Sequence, residues 1–107
     1  MSELKQINTE TARELLKEDA ILFDIRDINS FIHYHHPKAI HLTSENIQEQ
    51  ANLLEFDKTI LIVCYHGISS QSVAQWFINE GFKDVYSVDG GMTAWKDRYN
   101  EDCIEGI

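Results

Sequence analysis

Thr59-Ile60-Leu61-Ile62-Val63-Cys64-Tyr65-His66-Gly67-Ile68-Ser69-Ser70 reads as a strand, a tight loop and the start of a helix. Thr59 to Val63 is apolar and rich in β-branched residues, the composition of a central strand covered on both faces. From Ser70 to Glu80 the period changes: Val73, Ala74, Phe77 and Ile78 make one stripe of a helix, and Gly81 stands where a helix C-terminus needs it. Working outward, the same alternation recurs. Gln6-Ile7-Asn8 is a weak first strand. Asn8 or Thr9 can cap a helix in which Ala12, Leu15 and Leu16 share a face. Ala20 to Asp24 is a buried strand, Ile28 to Tyr34 a short helix, and Ala39 to Leu42 a third strand. Ser44 to Leu54 is expected as a helix capped by Ser44, with Ile47, Ala51 and Leu54 inward. Val85 to Val88 and Gly91 to Tyr99 supply a last strand and a last helix. Strands alternating with helices predict an α/β fold: a five-stranded, mostly parallel sheet covered by helices on both faces.

The bulk numbers agree with one such domain over residues 1–107. Hydrophobic residues make up 43%, too many for a disordered chain. Nine Lys and Arg against 18 Asp and Glu give a net charge of −9, which argues against nucleic-acid partners and anionic membrane surfaces. The longest unbroken apolar run, Ile60 to Tyr65, is far short of a membrane span. The N-terminus lacks the apolar stretch of a signal peptide, and the two cysteines, Cys64 and Cys103, form no CxxC pair. The expectation is a soluble, reduced, cytoplasmic protein.

Ligands of open α/β sheets bind beyond the carboxyl ends of the strands, where Cys64 stands. A thiol there faces the positive end of the next helix, and loop N–H groups can converge on an anion. Both effects favour the thiolate. Gly67 permits a corner of positive φ, so the loop can curl round the sulfur. Position alone leaves two readings open, a reactive thiol or a buried cysteine that ends a core strand. His66, two positions on, reads as a solvent-facing loop residue rather than the base of a Cys–His dyad. His33, His35, His36 and His41, with Asp24 or Asp27 nearby, have the residue types of a metal site. They read as a polar loop approaching a strand, so no metal is expected. Trp76 and Trp95 are expected to pack on the sheet. Cys103 is expected in a frayed acidic tail, Asn100 to Ile107, its thiol pKa raised by neighbouring carboxylates.

In these segments the chain resembles the single-domain rhodaneses, a sulfurtransferase family. Asp24-Ile25-Arg26 resembles the D-x-R segment after the family's second strand. Ser30-Phe31, His35 and Ala39-Ile40-His41-Leu42 resemble the approach to the third. Cys64-Tyr65-His66-Gly67-Ile68-Ser69 resembles the six-residue active-site loop, nucleophile first and glycine fourth. Val85-Tyr86, Asp89-Gly90-Gly91 and Trp95 resemble the closing signature.

The resemblance implies a rhodanese-like fold and sulfur transfer from thiosulfate without a cofactor. The Cys64 thiolate would take the outer sulfur, release sulfite and carry a persulfide. An acceptor would then remove that sulfur: cyanide, giving thiocyanate, or a thiol such as thioredoxin or dihydrolipoate. Tyr65, His66, Gly67, Ile68, Ser69 and Ser70 would cradle the anion. Asp24 and Arg26 would brace the loop; the alternative for them is a surface ion pair.

The chain also departs from the family. Arg often occupies the second or last loop position, where this chain has Tyr65 and Ser69, and Tyr34 and Lys38 replace frequent glycines. No Lys or Arg occurs from Thr59 to Phe82. Related phosphatases need Arg six positions after the cysteine, where Ser70 stands. An arsenate reductase would want more redox cysteines than Cys103 alone. A persulfide carrier serving a protein or dithiol acceptor is the remaining alternative.

Overall fold

The computed structural model describes residues 4–106. Five strands, β1 (Lys5–Ile7), β2 (Ile21–Asp24), β3 (Ala39–His41), β4 (Thr59–Val63) and β5 (Asp84–Val88), form one sheet in the order β1-β5-β4-β2-β3. All four pairings are parallel, with Asp24 opposite Val63 on one side and His41 on the other. The helices are α1 (Thr9–Lys17), α2 (Ile28–His33), α3 (Ile47–Asn52), α4 (Ser69–Asn79) and α5 (Gly91–Arg98), followed by a 3₁₀ turn over Asn100–Asp102.

The central strand explains the layering. Side chains alternate across a sheet, so β4 sends Ile60 and Ile62 to one face and Leu61 and Val63 to the other. All four are fully buried. Ile60 and Ile62 meet Phe23, Val85 and the inner stripe of α4, Ala74, Phe77 and Ile78, with Ala51 of α3. Leu61 and Val63 meet Leu22, Val88, Ala12 and Leu16 of α1, and Met92 and Trp95 of α5. Because every strand runs the same way, the carboxyl ends of β2, β3, β4 and β5 open on one edge, and Cys64 lies there.

Helix ends follow local hydrogen bonding. Asn8 caps α1 by accepting from the Thr11 N–H, and Asp27 caps α2 by accepting from Ser30. Gly81, at φ +110°, closes α4 in a Schellman arrangement, with Gly81 N–H donating to Ile78 O and Phe82 N–H to Phe77 O. Two expectations need correction. The helix expected from Ser44 begins at Ile47, and Ser44 does not cap it. Thr43 and Asn46 instead bond each other reciprocally: Thr43 N–H donates to Asn46 Oδ1 at 2.7 Å, and Asn46 N–H donates to Thr43 Oγ1 at 3.2 Å. That turn uses up the residues which would have formed the first helical turn.

The tail around Cys103 is docked rather than frayed. His35 and Ile104 exchange backbone bonds of 2.9 and 2.8 Å, and Gly106 N–H donates to Ile32 O at 2.7 Å. Arg13 grips Asp102 through two bonds of 2.6 and 3.1 Å, and the Trp95 indole donates to the same carboxylate at 3.0 Å. Burial, more than any carboxylate, pushes the Cys103 thiol up.

Candidate active site

Cys64 leaves β4 and enters a loop that turns straight into α4. Its sulfur is the centre of that loop. Gly67 N–H donates to Sγ at 3.2 Å and Ser70 N–H at 3.3 Å, while Ser70 Oγ lies 3.3 Å away. Burial pushes the Cys64 thiol up, but bonds from the Ser70 hydroxyl and from the amides of Ser70, Gly67 and His66 outweigh it, and the net shift is downward. The first turn of α4 adds its dipole in the same sense.

Two glycines make the curl possible. Gly67 sits at φ +87°, and a Cβ there would come within 2.8 Å of Gly90 N and 3.1 Å of Val88 O. Gly91, at φ +58°, lets the backbone of α5 press against the loop from behind: a Cβ would lie 2.4 Å from both Cys64 O and Tyr65 O. The start of α5 then holds those carbonyls. Met92 N–H donates to Cys64 O at 2.7 Å, and Thr93 N–H to Tyr65 O at 3.1 Å. The loop is thus pinned on its carbonyl side by α5 while its N–H side faces the sulfur.

A cleft of about 290 Å³ opens above Cys64, lined by Ile25, Arg26, Tyr65, His66, Ile68 and Ser69. Four expected loop residues, Tyr65, His66, Ile68 and Ser69, line this space; Gly67 and Ser70 lie beneath it, in contact with Sγ. His66 is exposed and its ring lies along Tyr65, with a centroid separation of 5.8 Å. Its contribution to the thiolate is its backbone N–H.

Asp24 and Arg26 form a buried pair, their side chains 0% and 1% exposed. Arg26 Nη2 donates to Asp24 Oδ2 at 2.8 Å and to Tyr34 O at 2.6 Å, and Nε faces both carboxylate oxygens. Nη1 is buried and has no partner among the described residues. The Tyr65 ring lies 5.5 Å from the guanidinium, and the Tyr65 hydroxyl bonds Ser30 Oγ, whose own hydrogen goes to Asp27 Oδ1 at 2.7 Å. Arg26 therefore lines the cleft with most of its charge already committed to Asp24.

The histidines serve the scaffold. His35 Nε2 bonds Gly106 O at 2.7 Å, His41 Nε2 bonds Arg26 O at 2.6 Å, and His36 Nδ1 accepts from Lys38 N–H at 3.0 Å. Among the described residues no group of His, Cys, Asp and Glu is arranged to hold a metal ion. Trp95 is fully buried on the sheet. Two contributors were missed by reading the sequence: Gly91, signalled only by the Gly90-Gly91 doublet, and Ser87, a hydroxyl inside a core strand.

Residues 8–98 match the rhodanese-like domain family. The chain belongs to that family. As a rhodanese-like protein it is 41% identical to the thiosulfate sulfurtransferase GlpE of Pseudomonas savastanoi pv. phaseolicola over 99% of its own length and 100% of the relative's. It is 48% identical to the protein of the same name from Pseudoalteromonas translucida, over 91% and 93%. Among solved structures it is similar to a rhodanese-like domain protein from Staphylococcus aureus, at 27% identity and a TM-score of 0.75, covering 89% of this chain and 94% of that one. This rhodanese-like chain is a sulfurtransferase. No helix among its described residues is long and apolar enough to cross a membrane.

Proposed function

We propose that the chain, acting as one rhodanese domain, transfers sulfane sulfur from thiosulfate through a persulfide on Cys64. The supporting observation is a sulfur ringed by N–H and O–H donors at the floor of an open cleft. The Cys64 thiolate attacks the outer sulfur of thiosulfate. The S–S bond of thiosulfate breaks, sulfite leaves with the electron pair, and Cys64 carries the sulfur. The amides of Gly67 and Ser70 and the α4 N-terminus hold negative charge on the terminal sulfur. An acceptor then attacks that sulfur, and the bonding pair returns to Cys64 as thiolate; cyanide leaves as thiocyanate. Asp24 and Arg26 brace Ile25 and Tyr65 against the cleft. The reaction needs Cys64 free and reduced, which fits the cytoplasm.

Mass spectrometry after thiosulfate treatment is expected to show one added sulfur on the Cys64 peptide. Cys64→Ser is expected to lose thiosulfate-to-cyanide transfer with its fold intact, because a hydroxyl cannot supply the thiolate. Activity retained in Cys64→Ser overturns the reading. A protein thiol as acceptor has its own support: Ile68 is 74% exposed and Tyr65 43% exposed at the lip of the cleft, an apolar rim that a protein partner could cover. Faster turnover with reduced thioredoxin than with cyanide would select it.

A further inference from the structure

Ser87 is fully buried on β5, between Tyr86 and Val88 and opposite Ile62 of β4. Among the described residues its hydroxyl has one hydrogen-bond partner, Ser70 Oγ at 2.7 Å. Ser70 is also fully buried, and its Oγ lies 3.3 Å from Cys64 Sγ. The two hydroxyls, Ser87 Oγ and Ser70 Oγ, therefore form a chain away from water that ends on Cys64 Sγ at the cleft floor. Its hydrogens can run in two directions.

With Cys64 as a thiol, S–H donates to Ser70, Ser70 donates to Ser87, and the Ser87 hydrogen is left with no acceptor. With Cys64 as a thiolate, Ser87 donates to Ser70, Ser70 donates to the sulfur, and every hydroxyl hydrogen is used. A buried donor without an acceptor is costly, so the two directions are unequal. We infer that Ser87 is a positioning residue that turns the Ser70 hydroxyl toward Cys64 and so favours the thiolate over the thiol.

The inference rests on Cys64 being the reactive thiolate of the proposed function. It adds a consequence for the second half of that reaction. When the acceptor breaks the persulfide bond, the electron pair arrives on Cys64 Sγ. A Ser70 hydroxyl already aimed there stabilises the leaving thiolate without reorganisation. The other titratable groups around the sulfur's cleft are Tyr65 and His66 in its loop and Arg26, which is paired with Asp24 at the end of β2. The part of α4 that touches Sγ carries none. All of them remain in a Ser87 variant, so a change on substitution isolates the hydroxyl.

The test is the pH dependence of iodoacetamide alkylation, read on the Cys64 peptide so that Cys103 does not contribute. Ser87→Ala removes one atom from the core and is expected to raise the midpoint by about half a pH unit, slowing alkylation below the midpoint about threefold. Ser70→Ala is expected to raise it further. In the Ser70→Ala background, adding Ser87→Ala is expected to change nothing, because the relay is already cut. An unchanged midpoint in Ser87→Ala overturns the inference, and so does an equal shift with and without Ser70. Alkylation needs no thiosulfate. A missing persulfide would therefore overturn the proposed transfer and leave this result standing, whereas an unchanged midpoint in Ser87→Ala does the reverse.

Discussion

At the scale of single residues, Cys64 and the Asp24–Arg26 pair carry opposite electrostatic burdens. Cys64 is a thiol whose charged form is favoured by dipoles. Its pKa is lowered on balance by the donors around it, so the native state keeps the thiolate to lower pH than the unfolded chain does. The stabilisation from that group is present above the unfolded thiol's pKa and is lost as pH falls through the lower folded value. The thiosulfate half-reaction should accordingly rise with pH to a plateau whose midpoint lies below that of an ordinary thiol; a midpoint at or above the free-thiol range would contradict the hydrogen-bond ring. Asp24 and Arg26 are instead charges held by each other. Breaking such a pair leaves one ion buried and uncompensated, at roughly 3–5 kcal/mol. Asp24→Asn is expected to lower the unfolding free energy by an amount of that order, read as a lower urea midpoint with little change in the slope. A loss below about 1 kcal/mol would mean that Arg26 escapes to water and that the pair acts as a surface contact.

At the scale of elements, the site is a meeting of two helix starts. One, α4, points its N–H groups at the sulfur, and the other, α5, holds the carbonyls of Cys64 and Tyr65. Gly91→Ala tests the second. Its Cβ would be driven to 2.4 Å from two carbonyl oxygens, in a backbone region that L-residues avoid. The expected result is a stability loss of about 2 kcal/mol or more, and a larger fractional loss of sulfur transfer, because the loop must move to relieve the contact. Wild-type activity in a stable Gly91→Ala protein would show that α5 does not position the loop. The strands and the Cys64 loop were legible because their cues are local: a β-branched run, a change of period, a glycine. The beginning of α3 was not, because the Thr43–Asn46 exchange competes with a helical turn that Ser44 could equally have capped. The docked tail was hidden for a different reason. Its clamp is Arg13, far away in sequence on α1, so the segment around Asp102 looks purely acidic when read alone. Ser87 was hidden because a serine in a strand shows its partner only once Ser70 has been folded over it.

At the scale of the whole molecule, a net charge of −9 confronts the dianion proposed as its sulfur donor. The cleft offers little to offset that field. Its basic residue, Arg26, is neutralised by Asp24, and Thr59 to Phe82 contains no Lys or Arg. Anion affinity then comes from short-range donors: the amides around Sγ and the α4 N-terminus, which contribute roughly 0.3–1 kcal/mol at exposed sites. The two ranges respond differently to salt. At about 0.01 M the Debye length is about 30 Å, comparable with the 35 × 27 × 24 Å extents of the molecule, so distant carboxylates repel the incoming dianion. At about 0.15 M it is about 8 Å, and that repulsion is screened while the contacts at the sulfur are not. Between these limits kcat/KM for thiosulfate should rise with ionic strength, the reverse of a site built on exposed arginine. Ser69→Arg supplies the contrast. A guanidinium at the cleft wall adds a charge-assisted contact that salt weakens, so the variant should show a lower KM at low salt and a flatter or falling response as salt increases. Both forms would be followed by steady-state kinetics at fixed pH with chloride as the varied ion. A wild-type kcat/KM that falls with salt would place an uncompensated cation at the cleft. Arg26, freed from Asp24 by a shift of the Tyr65 ring, would then be the group to substitute next.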